Sequence, residues 1–313
     1  MKILSYYPTH QTFLNSIASL FPKTEFDLAR TPEIVPPDYG KIWNKNLISF
    51  EGNIRILNEK WNEVDDSKYD LRITWFNTER ILLRKWSIPS VYVILNRGDP
   101  VLESQNVVIY LTSFVPERKH PTPNRHIYLT VGSSHVGRWT GKDNRAYFID
   151  QEDWEARWSN KTVIGSWAST LIETLQEVRM RVPFYFPTER VPWEMWMAKR
   201  QALRVYVEIS IRAISCTFFE SLLMGQPTIV PNWPEFNLVI KHGENGFLYR
   251  TKEECADLTS LLINDYDLAK KLGAAGRETA NRIAGDDVRK KQWTEAFNLA
   301  LKKERTTSAD INP

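Results

Sequence analysis

The chain has 313 residues, 42% hydrophobic and 25% charged, with a formal net charge of +3, so it is an ordinary globular sequence long enough for two domains with sizeable cores. The near balance of charge argues against nucleic acid, which needs a concentrated basic face, and no run approaches the roughly 18 apolar residues that span a bilayer. Two cysteines, Cys216 and Cys255, support no disulfide framework and suit a reducing cytoplasm.

The opening MKILSYYP reads as a strand over Lys2 to Tyr7, without the long apolar region of a signal peptide. A helix to about Leu20 follows the loop Pro8-Thr9-His10, and Phe26 to Leu28 is the next strand candidate. Thr31 to Tyr39 holds three prolines and is a loop. Leu47 to Phe50 and Asp70 to Trp75 are short apolar runs flanking a helical segment, Asn53 to Glu63. Thr78 to Trp86 is helical, and Val91 to Leu95 is strongly strand-like. Further strands are expected at Val107 to Leu111, His126 to Val131 and Arg145 to Ile149, with a short helix starting at Gly132-Ser-Ser. Short apolar runs alternating with helical segments indicate a parallel α/β sheet. No Gly-x-Gly-x-x-Gly follows the first strand and no Gly-x-x-x-x-Gly-Lys-Ser/Thr occurs, which removes the dinucleotide and P-loop readings.

Asp150 to Trp158 is polar and aromatic and is read as the entry to a second domain, whose sheet opens at Thr162 to Gly165. Thr170 to Arg181 is helical and Val182 to Phe186 a strand. The stretch from Arg179 to Arg204 mixes Arg, Pro and Trp and could line an acceptor or base pocket, but Trp193, Trp196 and Met197 are spaced for one apolar helix face. Likewise the twelve tryptophans serve either packing, the simpler role, or platforms for sugar rings.

The most informative stretch is Arg204 to Arg250. A strand at Val205 to Ile209 leads to a helix, Thr217 to Met224, stopped at Gly225, the residue that tolerates a left-handed cap. A strand at Pro227 to Val230, a helix at about Glu235 to His242 and a strand at Phe247 to Tyr249 complete the pattern. Short helical crossovers make such strands parallel. Ligands of such sheets bind beyond the carboxyl ends of the strands, where helix N-termini attract anions. A pocket built from Ser210 to Phe219 and from Pro231 to Asn237 is therefore expected. Helices at Lys252 to Leu262, Asp265 to about Ile283 and Val288 to Leu301 follow, then a polar tail, Glu304 to Pro313.

Phe219-Glu220-Ser-Leu-Leu-Met-Gly225-Gln-Pro227-Thr-Ile-Val, then His242-Gly-Glu-Asn-Gly246-Phe-Leu, resembles the signature of the retaining GT-B glycosyltransferases of family 4 (glycosyl transferases group 1). The resemblance is close over roughly residues 200 to 300 and only architectural before that. It implies an α/β fold of two Rossmann-like domains facing a cleft. The expected division is an acceptor-side domain over 1–150, a nucleotide-sugar-binding domain over 151–303 and a tail over 304–313.

The resemblance also implies a chemistry: transfer of a hexose from a UDP- or GDP-sugar to an acceptor, with retention and without an obligatory metal or other cofactor. The sequence has no clustered Asp-x-Asp and no Cys/His ligand spacing. Glu220 matches the second glutamate of the family's pair, which holds the ribose hydroxyls. The bland alternative is a first-turn carboxylate favoured by the helix dipole. Eight positions earlier, where the first glutamate belongs, stands Arg212, whose cationic donors suit phosphate or an acidic sugar. Glu208 and Glu235 are nearby carboxylates that could substitute. Ser210, Ser215 and Thr217 belong to the donor-binding set, and Gly165 with Ser166 matches, in part, a Gly-Arg that contacts diphosphate. On the acceptor or sugar side stand Asn96 and Arg97, near where the family has a histidine, and His10 in the loop after the first strand, which a solvated role also explains.

Three readings remain. One is an active hexosyltransferase (EC 2.4 type) acting on a glycan, lipid or protein acceptor. The second is a catalytically silent member that binds nucleotide or glycan, for which Arg212 and the absence of a Lys soon after Gly165 are the evidence. The third is a nucleotide-sugar epimerase sharing the fold. No nucleic-acid partner is expected, and peripheral membrane contact through basic and aromatic surface gains little from the near-neutral charge.

Overall fold

The computed structural model describes residues 1–6, 11–30, 52–60, 63–75, 88–94, 107–110, 125–127, 133–148, 167–185, 193–209 and 216–307. The chain divides into two compact units, one of residues 1–132 with 286–313 and the other of residues 133–285.

The first unit carries strands β1 (Lys2–Tyr6), β2 (Glu25–Arg30), β3 (Ile54–Lys60), β4 (Leu71–Trp75), β5 (Ser90–Ile94), β6 (Val107–Tyr110) and β7 (Arg125–His126), with helix α1 (Gln11–Ala18) between the first two. All pair in parallel in the order β3-β2-β1-β4-β5-β6-β7. The order reverses between β1 and β4, as in doubly wound sheets. Buried Ile3, Leu4, Phe26, Leu28, Ile73 and Val91 form the middle of this core.

The expected helix at Asn53 to Glu63 is instead β3. Its Leu-Asn-Glu-Lys end holds good helix formers, but Ile54 and Ile56 fit a strand and stand opposite Phe26 and Leu28, and that pairing prevails. Asn53 secures the entry, its amide donating to the carbonyls of Ala18, Phe21 and Thr24. The expected strand His126 to Val131 is described only at its start. The expected helix at Thr78 to Trp86, the apolar run Leu47 to Phe50 and the Thr31 to Tyr39 loop lie outside the described residues.

The second unit contains α2 (Ser133–Val136), β8 (Asp143–Phe148), α3 (Trp167–Arg181), β9 (Phe184–Tyr185), α4 (Trp193–Ala202), β10 (Leu203–Val207), α5 (Cys216–Met224), β11 (Thr228–Pro231), α6 (Pro234–Asn237), β12 (Phe247–Tyr249), α7 (Lys252–Asn264) and α8 (Tyr266–Ala284). Its five described strands, again all parallel, run β12-β11-β10-β8-β9. Ala146, Phe148, Val205, Val207 and Ile229 from the sheet share one apolar cluster with Leu175 and Val178 of α3 and with Leu262 of α7.

Two boundaries therefore differ from expectation. The strand at 143–148 lies beside β10 in the second sheet, so the division falls at 132/133 and not at 150/151. The second sheet consequently opens at β8, upstream of Thr162 to Gly165, which lie outside the described residues together with the Asp150 to Trp158 segment. The last helix, α9 (Asp286–Thr307), belongs to the first unit. Its buried Arg289 donates to the Ser16 hydroxyl at 2.6 Å, and Phe297 packs on Phe21 with ring centroids 5.5 Å apart. A helix distant in sequence completes this core, so residues 286–303 group with the first unit and not with the second.

Candidate functional site

The second sheet reads 2-1-3-4-5 in chain order, and its order reverses between β8 and β10. In such sheets the ligand crevice lies outside the carboxyl ends of the strands at that reversal. β10 is wholly buried, as a central parallel strand is, and its one charged residue, Arg204, is held by the carbonyls of Gly141 and Ile263. It ends in Glu208 and Ile209, also buried. The Tyr206 hydroxyl donates to Glu208 Oε2 at 2.6 Å, and the Tyr249 hydroxyl donates to the Glu208 carbonyl at 3.2 Å. Burial, then the neighbouring Cys255 and Glu208, push the Tyr249 phenol well above its ordinary value, so it stays a donor.

α5 is the helix after β10. Phe218, Phe219, Leu222, Leu223 and Met224 are all buried, which makes it an interior helix. Gly225, at φ 86°, ends it with its amide bonded to Leu222 O and that of Gln226 to Ser221 O. The reversal lets the chain enter β11 within three residues, explaining the Gly-x-Pro order. α8 crosses this turn at Gly273, where a Cβ would sit 2.1 Å from the Gly225 carbonyl oxygen.

Glu220 is the one ionisable carboxylate in this apolar helix, and it is 3% exposed. It is the fifth residue of α5, so the first-turn alternative does not apply. Such a charge needs a partner, and Arg200 of α4 supplies it. The Arg200 guanidinium is itself buried and donates through Nη1 to Glu220 Oε2. Its Nη2 donates to the Ser221 hydroxyl at 2.9 Å and to the Thr217 carbonyl at 3.0 Å. Among the described residues no group donates to Glu220 Oε1, and 5% of the side chain stays exposed.

Glu235 is buried in the first turn of α6, whose Phe236 packs edge-on against Phe218 at 5.3 Å. Before it, Trp233 is 43% exposed although its backbone is held by bonds to Pro231 and from Asn237. The α6 helix is shorter than the expected Glu235 to His242. On α4, Met197 is buried, and the Trp196 ring lies edge-on against Tyr147 at 5.2 Å. Those two side chains pack the unit's interior, in keeping with the apolar-face alternative to a pocket.

Of the expected site residues, the structure describes Glu220 and Thr217, one turn apart on α5. Thr217 turns its carbonyl toward Arg200 and Ser221. Arg212, Ser210, Ser215, Gly165, Ser166, His10, Asn96 and Arg97 lie outside the described residues. Sequence reasoning missed Arg200. The available signal was electrostatic: a carboxylate inside an all-apolar helix demands a cation, and Lys199-Arg200 is the basic pair just before the central strand.

No protein-family model and no curated protein matches this sequence. Solved structures do. HepE of Anabaena, in complex with UDP and glucose, superposes with a TM-score of 0.61 at 13% identity, over 95% of this chain and 99% of that one. Sucrose-phosphate synthase of Thermosynechococcus elongatus gives 0.65 at 11% identity, over 97% and 100%. An alpha-glucosyltransferase in complex with UDP gives 0.62 at 11% identity, over 95% and 100%. The fold is the GT-B fold. At these identities the likeness is one of architecture, two parallel α/β units over nearly the whole chain.

Among the described residues no three His, Cys, Asp or Glu side chains group to hold a metal ion. No described helix is long and apolar enough to cross a membrane.

Proposed function

We propose that this protein is a glycosyltransferase that moves a hexose from a UDP- or GDP-sugar to an acceptor, with retention of configuration and without a metal. The observation that carries the reading is Glu220, a buried carboxylate on the helix that follows the central strand of the second sheet, in the fold of proteins solved with UDP. In this reading Glu220 accepts hydrogen bonds from the ribose hydroxyls. The first turn of α5, including Thr217, has amides without intrahelical acceptors, which together with Ser215 face the departing diphosphate. Arg212 supplies a cation there, and Ser210, Gly165 and Ser166 belong to the same donor side. His10, Asn96 and Arg97 of the first unit serve the acceptor or the sugar. The acceptor attacks from the face that the nucleotide leaves, and a phosphate oxygen of the leaving group takes its proton.

A donor screen tests this. The protein is incubated with UDP- and GDP-sugars and mixed acceptors in EDTA, and released nucleotide is measured. Turnover of one donor is expected, with Glu220→Ala lowering kcat/KM at least tenfold, the scale of a lost charged hydrogen bond. Activity that requires added metal removes the metal-free part, and turnover unaffected in Glu220→Ala removes the assigned role. Arg212 in place of a glutamate favours a second reading, nucleotide binding without turnover. Its signature is UDP or GDP binding with no release from any donor.

A further inference from the structure

We propose that Arg200 is a positioning residue for the nucleotide site: it grips one oxygen of Glu220 so that the other is presented to the ribose hydroxyls. The inference rests on the reading of Glu220 as the ribose ligand and adds a residue to it.

Arg200 is well fixed for this task. It lies near the end of α4, whose last carbonyls are claimed by groups from elsewhere in the unit. Gln226 Nε2 donates to Arg200 O at 3.3 Å and to Leu203 O at 3.1 Å. The amides of Thr140 and Gly141 bond to Gln201 O, and the Gln201 side chain reaches back to Val136 O at 3.0 Å. The guanidinium stands 5.4 Å from the centroid of the Tyr147 ring on β8, within reach of a cation–π attraction. Its planar fork then spans one turn of α5, touching Thr217 O, Ser221 Oγ and Glu220 Oε2 at once.

That geometry has consequences for the carboxylate. A free glutamate side chain in a helix samples several rotamers, and ordering it on ligand binding costs affinity. Here the Oε2 end is tied to a group that is tied to the backbone of the same helix, so the carboxylate plane is set before any ligand arrives. Lysine cannot reproduce this, since its ammonium is a point charge without the rigid fork. The grip falls on Oε2, and 5% of the Glu220 side chain stays exposed, which suits a carboxylate whose second oxygen must still accept hydrogen bonds from a ligand.

The test compares the affinities of UDP and 2′-deoxy-UDP by calorimetry, and of GDP and 2′-deoxy-GDP, on the full chain. The wild-type protein is expected to prefer the ribonucleotide about tenfold, the scale of a hydrogen bond to a charged group. Arg200→Lys, which keeps the buried positive charge and hence the fold, is expected to lose most of that preference. Ser221→Ala, which removes one tether and no charge, is expected to lose a smaller part. Glu220→Gln should abolish the preference, and Arg200→Lys with Glu220→Gln should show no further loss. A lowered melting temperature in Arg200→Lys with the preference intact overturns the positioning role and leaves the ribose role of Glu220 standing. Equal binding of ribo- and deoxynucleotide by the wild-type protein overturns both.

Discussion

Asp27 shows how a buried charge in this protein is made tolerable. It sits on β2 in the first unit, 2% exposed, and Arg55 on the neighbouring β3 donates to both its oxygens, through Nε to Oδ1 at 2.8 Å and through Nη2 to Oδ2. The Tyr69 hydroxyl adds a bond to Oδ2 at 2.8 Å, and Lys2 Nζ lies 3.4 Å away. Burial is the largest single influence and favours the neutral acid. The bonds from Arg55 and Tyr69, with the charges of Arg55 and Lys2, together outweigh it and hold the carboxyl below its ordinary value. A depressed native value means that the unfolded chain takes up a proton first as pH falls. The stabilisation is therefore full above about pH 4, the unfolded value, and is lost as pH drops through the native one. Thermal melts between pH 6 and 3 should show a decline below about pH 4 that Asp27→Asn flattens. The same variant should already melt lower at pH 6. The Glu220–Arg200 pair is the second case: the identity of the carboxylate was legible from its motif, but its partner, 20 residues upstream, was not.

At the scale of elements, the crossing of α5 and α8 decides how the second unit closes. Two glycines meet there, Gly225 for its conformation and Gly273 for its lack of a side chain. Gly225→Ala places a Cβ in the left-handed region and should cost about 1–2 kcal/mol. Space is not its problem, since the nearest atom would be 3.8 Å from the new Cβ. Gly273→Ala has an ordinary helical backbone but drives a methyl into backbone, so α8 must move. Overpacking of this kind typically costs about 1–3 kcal/mol. Urea unfolding of the two variants checks both figures, and the crossing argument also expects weaker nucleotide binding in Gly273→Ala, because α8 supports α5. Gly225 was recognisable in the sequence as a helix stop. Gly273, inside Leu-Gly-Ala-Ala-Gly, looks only like a weak point in a helix until the neighbouring turn is seen. Asn53 to Glu63 taught the reverse lesson, since local helix propensity there yields to pairing with β2.

For the molecule as a whole, α9 is the last described element in sequence and part of the first unit in space. Trp293 is fully buried in it, with Ala296, Phe297 and Ala300 beside it. Trp293→Ala should destabilise by about 3–5 kcal/mol, the range for emptying a large aromatic site, and denaturant melts followed by fluorescence would record it. A variant shifted by less than about 1 kcal/mol would mean that α9 is dispensable to this core. The sequence by itself determined the two-domain α/β class, most strand positions, and the motif from Glu220 to Gly246, because apolar runs, glycine stops and helix periods are local properties of the chain. Only the tertiary structure decided that the strand at 143–148 serves the second sheet, that α9 returns to the first, and that Arg200 meets Glu220. Those are pairings between distant segments, settled by which surfaces remain to be buried and which charges remain to be matched once each element has formed.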